Sequence, residues 1–170
     1  MGIFSFIKEA GEKLFGVEKA EAEESHEISD SHEAKEQKED IKASSRLRNR
    51  IAEAGLEVKD LKIAIEGDTA IISGSSNSEE VREKAILIVG NSEGIAKVED
   101  KITVENKGEE SSFHTVERDD TLGKIAKDHY GDEEKYPLIF EANKPMLKDP
   151  DKIYPGQVLR IPALDKDKQI

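Results

Sequence analysis

The sequence predicts an α+β protein: two small units in succession, αββαβ and then βααβ, with a short N-terminal helix ahead of both. Between positions 41 and 105 the apolar spacing passes from helical to alternating and back again in a definite order. The glycines lie at the turns between these stretches. Leu, Ile, Val and Phe make up 41 of the 170 residues, about 24%, above the roughly 20% below which so charged a chain is expected to stay disordered.

Charge narrows the function. With 26 basic and 38 acidic side chains the formal net charge is -12, which argues against nucleic acid as a partner. The longest apolar run, positions 85–89, is far shorter than a membrane span, so no membrane partner is expected. There is no cysteine, which excludes disulfides, thiolate zinc sites and cysteine nucleophiles.

Residues 1–16 (MGIFSFIKEAGEKLFG) carry Lys8, Glu9, Glu12 and Lys13 where a secretory signal needs an apolar stretch, so the chain is expected to be cytoplasmic. Phe6 stands where a myristoylation motif needs Ser or Thr. Ile3, Phe6, Ile7, Ala10 and Leu14 fall at helical spacing, giving an amphipathic helix that Gly11 or Gly16 ends. Its two Lys and two Glu cancel, which favours docking on the protein over a lipid surface. Residues 17–40 hold ten acidic and three basic side chains and form a solvated spacer or an exposed helix. His26 and His32 lack a metal-ligand spacing.

The first unit spans residues 41–106. Ile41, Leu47, Ile51 and Ala54 share a helical stripe that Gly55 closes. Leu61, Ile63 and Ile65 alternate as a strand, Gly67-Asp68 turns the chain, and residues 70–74 return. Asn77 or Ser78 caps a helix with the stripe Val81, Ala85, Ile88 and Val89, stopped by Gly90. Residues 96–104 form the last strand, with Val98, Ile102 and Val104 on one face. This order resembles a BON domain.

After a polar linker, residues 107–112, the second unit occupies residues 113–162 and leaves a tail, 163–170. Phe113, Thr115 and Val116 open a strand; Asp120 caps a helix bearing Leu122, Ile125 and Ala126, ended by Tyr130-Gly131. Tyr136, Ile139 and Phe140 lie on a second helix, and Pro155-Gly156 turns the chain into Val158, Leu159 and Ile161. The segments FHTVERDDTLGKIAKDHYG and IFEANKPMLKDPDKIYPGQVLRIP resemble a LysM domain. That resemblance implies binding of N-acetylglucosamine polymers through loops 118–122 and 143–155, although Asp119 and Gly123 replace the usual glycine and serine. His114 and His129 are expected at the surface or in packing, and Asp149-Pro150-Asp151 lacks the later ligands of a calcium loop. No catalytic motif is present, so a binding protein is expected rather than an enzyme.

Together, the opening MGIFSFIKEAGEKL, the BON-like unit and the C-terminal LysM-like unit are similar to a cytoplasmic potassium-binding family. The resemblance implies K+ as the ligand of a monomer, with another protein as a partner for the LysM unit. Neutral carbonyls suit a large monovalent cation, whereas clustered carboxylates favour divalent ones. Helix ends supply free carbonyls, and the chain has two such ends, residues 7–12 and 89–95. Read from the residues alone, these are ordinary helix stops or an ion site. By resemblance, the backbone oxygens of Ile7, Ala10, Glu12, Gly90, Ser92 and Ile95 hold the ion. Side-chain identity is expected to matter little there, with Ser92 loosening its loop. Glycan binding or protein docking through the LysM unit is the alternative.

Overall fold

The computed structural model describes residues 2–6 and 29–164. Val58–Glu66 (β2) and Thr69–Ser78 (β3) form the expected hairpin, with Gly67 at φ 62° in its turn. Ser78 accepts the Val81 N–H at 3.4 Å and caps Glu79–Gly90 (α2), whose first turn carries Glu79 and Glu80 at the positive end of the helix dipole. The chain then enters Lys97–Asn106 (β4), parallel to β3, a pairing that requires such a helical crossover. Ser29–Glu53 (α1) packs beside β2 and α2, burying Leu47 and Ile51.

The N-terminus departs from the expected helix. Gly2–Ser5 (β1) is a strand, antiparallel to β4 with Phe4 opposite Val98, and the four-stranded sheet runs β1-β4-β3-β2. The open edge of β4 offers ladder hydrogen bonds that outweigh a helical stripe confined to a few residues. Period two then sets the burial: Phe4 is half-buried and Phe6 is buried, while Ile3 is exposed. The rest of the expected helix, including Ile7, Ala10, Glu12 and Leu14, lies outside the described residues.

Two stripes also shift. α1 begins at Ser29, twelve positions before the first unit's expected start, and Ile41 is 66% exposed because that part of the helix extends beyond the surface Leu47 and Ile51 cover. On α2, Ala85, Ile86, Leu87 and Val89 are buried, whereas Val81 and Ile88 are only half-buried. α2 is covered by β3 and β4, by α1 and by the second unit, so one stripe does not suffice. Charge is buried here too. Arg82 donates to Asp100 and Glu79, each at 2.7 Å; although burial opposes it, these carboxylates raise the Arg82 pKa above its ordinary value.

In the second unit Ser112–Thr115 (β5) pairs antiparallel with Val158–Ile161 (β6). Between them come Leu122–Tyr130 (α3), a 3-10 turn over Glu133–Lys135 and Tyr136–Ala142 (α4). Leu122, Ile125, Ala126, Ile139 and Leu159 fill this core. Tyr136, expected among them, is 41% exposed. The α3 cap is Thr121, not Asp120: the Thr121 hydroxyl accepts the Lys124 N–H at 3.2 Å, while the Asp120 carboxylate is taken up by the Glu117 N–H and by His114. Asp119, where the LysM pattern has glycine, sits at φ 69°, a left-handed conformation that Asp tolerates better than most residues.

Candidate functional site

The loop after α2 is fixed from three directions. At its start, the Phe6 ring lies against Gly90 so closely that a Cβ there would stand 1.9 Å from the ring Cζ. At its end, the Phe6 N–H donates to the Ala96 carbonyl at 2.8 Å, and Ala96 N–H donates to Asp68 at 2.7 Å. Phe6, the last described residue of the N-terminal segment, therefore lies beside residues 90–96. Within the loop, Asn91 N–H returns to Leu87 O at 2.9 Å, Ser92 N–H to Val89 O at 3.1 Å, and Ile95 N–H to Ser92 O at 3.3 Å. No described residue donates to the carbonyls of Gly90 or Ile95.

Of the six expected oxygen donors, Gly90, Ser92 and Ile95 share this loop and are all buried. Ile7, Ala10 and Glu12 lie outside the described residues. Two expectations about these positions need correction. Ser92 does not loosen the loop, because its hydroxyl donates to Ile88 O at 2.6 Å and accepts from Arg50 at 3.2 Å. Nor is side-chain identity indifferent at Gly90, since only a hydrogen fits beneath the Phe6 ring.

The same loop holds the second unit. Asn91 donates its amide to Val158 O at 2.9 Å and accepts the Val158 N–H at 2.9 Å, pairing with β6 as a neighbouring strand would. Asn143 does the same for Arg160, accepting its N–H at 2.7 Å and donating to its carbonyl at 2.8 Å. Two turns earlier, on α2, the buried Glu83 accepts from Arg160 Nε at 2.5 Å and from Ser111 N–H at 2.8 Å. Phe4 meets Phe113 edge to face with centroids 5.4 Å apart. Reasoning from sequence missed Asn91, Glu83 and Asn143. A carboxylate on the apolar side of α2, next to buried Leu87 and Ile86, was the available signal.

Asn91→Ala is expected to leave the Val158 N–H and C=O unpaired at the junction and to cost about 1–3 kcal/mol. Urea denaturation measures this, and amide exchange at Val158 should rise more than at Leu159, which faces β5.

A BON domain is matched over residues 39–106 and a LysM domain over residues 114–162. The potassium binding protein Kbp of Escherichia coli O6:H1 is 40% identical over 163 residues, covering 95% of this chain and 99% of that protein. An uncharacterized protein of Deinococcus radiodurans is 31% identical over 108 residues, covering 57% of this chain and 42% of its own. BON and LysM are binding families, and among the described residues no helix is long and apolar enough to cross a membrane. With nearly its whole length aligned at that identity, the chain belongs to the Kbp family.

Proposed function

We propose that this chain is a cytoplasmic potassium sensor, in which main-chain oxygens of Ile7, Ala10 and Glu12 on one side and Gly90, Ser92 and Ile95 on the other replace the water of a K+ ion. The observation that carries this reading is Phe6, the residue just before the first three expected donors, buried between Gly90 and Ala96. The name of the Escherichia coli relative supports the ligand. The loop offers backbone oxygen at the carbonyl end of α2, which suits a weakly hydrated monovalent ion. Because Asn91 in the same loop grips β6, ordering of the loop by the ion is transmitted to the LysM unit. The signal is the docking of that unit, read by a protein partner, and the working form is a monomer.

Glycan binding through the LysM unit is disfavoured by one observation. Asn143 and Leu147, in the second of its two expected loops, are buried, and the half-buried Met146 packs against the cores of both units.

Melting in KCl and NaCl at equal ionic strength tests the proposal. At about 100 times the dissociation constant, K+ adds roughly 2.7 kcal/mol, or about 5–11 °C for a chain of this size. Backbone resonances of residues 90–95 should move with K+. Equal melting temperatures, or chitin fragments perturbing residues 118–122 instead, would remove the ion site in favour of the glycan reading.

A further inference from the structure

The turn between β5 and α3 brings two imidazoles together. His129 Nε2 lies 3.3 Å from His114 Nδ1, with the rings at 86° and their centroids 5.4 Å apart. The other nitrogen of His114 is 2.9 Å from Asp120 Oδ2. That carboxylate is itself fixed by the Glu117 N–H at 2.9 Å. An ionised carboxylate only accepts, so a neutral His114 carries its proton on Nε2 and turns the Nδ1 lone pair toward His129. A carboxylate holding the far nitrogen of a histidine is the arrangement that orients imidazoles for metal ions. Two nitrogens on one tetrahedral ion, each at about 2.0–2.1 Å, stand about 3.3–3.4 Å apart. The pair already has that separation, spanned by the His129 Nε2–H donated to His114 Nδ1; an ion takes the place of that proton when His129 adopts its other tautomer, with the proton on Nδ1.

We propose that His114 Nδ1 and His129 Nε2 form a clasp for a divalent transition-metal ion, Zn2+, Ni2+ or Cu2+, with Asp120 as the positioning residue that fixes the His114 tautomer. Among the described residues no group of three or more His, Cys, Asp or Glu side chains is placed to hold a metal, so water completes the coordination. Imidazole ligands select these ions over Mg2+ and Ca2+, which take oxygen. His129 is exposed in the last turn of α3, where the negative end of the helix dipole favours a cation arriving from solvent. A bound ion clips the first strand of the LysM unit to its first helix. This site is separate from the loop at residues 90–96 and uses nitrogen where that loop offers oxygen.

The test is a titration of the intact chain with NiCl2 and with ZnCl2 at constant KCl, followed by calorimetry and by the imidazole nitrogen resonances. One saturable site that moves both His114 and His129, with MgCl2 inert, is the expected result. Asp120→Asn should weaken it about 10- to 100-fold and disturb the His114 tautomer, and His129→Gln, which loses a ligand, should weaken it further. His129→Gln changes an exposed side chain, and unchanged melting without metal verifies its fold. His26→Gln/His32→Gln should leave binding intact. Binding that disappears with His26 and His32, or imidazole resonances at 114 and 129 that stay still at saturating metal, overturns the proposal.

Discussion

Gly90→Ala is expected to cost about 1–3 kcal/mol in the wild-type chain, yet to be neutral or stabilising by up to about 1 kcal/mol once Phe6 is Ala. The sign changes because two effects compete at one carbon. In the native chain the new methyl would lie 1.9 Å from Phe6 Cζ, so the ring must leave a site in which it is only 5% exposed. Remove the ring, and what remains is a glycine in the last turn of a helix, where alanine has the better propensity. Phe6→Ala alone is expected to cost about 3–5 kcal/mol as a buried aromatic truncation. A double-mutant cycle by urea denaturation measures the coupling. Additive effects would mean that Phe6 does not cover Gly90, and the support for an ion site beside this loop would go with it. Both single variants should also lose most of the potassium-dependent rise in melting temperature, since each breaks the contact of Phe6 with the proposed ion loop.

The second large effect concerns the junction. Glu83 and Arg160 form an ion pair at 2.5 Å with side chains 3% and 10% exposed, joining α2 to β6. Replacing one partner leaves the other charged and buried, so Glu83→Gln or Arg160→Met should cost about 3–5 kcal/mol. Replacing both, as Glu83→Leu with Arg160→Met, should recover most of that loss, because well-packed apolar pairs often match a buried ion pair. The Ser111 N–H that Glu83 accepts would then turn to water. In the single variants the denaturation curve should separate into two transitions, one for each unit. A single unchanged transition would show that the contacts of Asn91 and Phe4 hold the units together without the ion pair.

Much of the architecture was legible because it is written in local patterns. Gly67-Asp68 between alternating runs gave the hairpin, Ser78 before Glu79 and Glu80 gave the start of α2, and Gly131 at φ 73° ended α3 as its position implied. The positions that failed have partners outside their own element, some from a distant part of the chain and, at Asp120, some only three and six residues away. Ile3 and Phe6 share a helical stripe, but the free edge of β4 made residues 2–5 a strand. Asp120 has the right chemistry for a cap and lost that role to Thr121, because His114 and the Glu117 backbone claimed its carboxylate. The helix stop at Gly90 was nameable from the sequence; the requirement for glycine there was not, since it comes from a ring 84 positions earlier in the chain.

The sequence by itself determined the order of helices and strands within each of the two units, the two-unit α+β class and the helix stop at Gly90, because helix periods and turns depend on neighbours within a few residues. Only the tertiary structure decided that the chain start is a fourth strand, that Phe6 covers Gly90, and that Asn91 and Glu83 take hold of the second unit. Those contacts depend on which surfaces remain unpaired after the local elements form, and no short stretch of sequence records that.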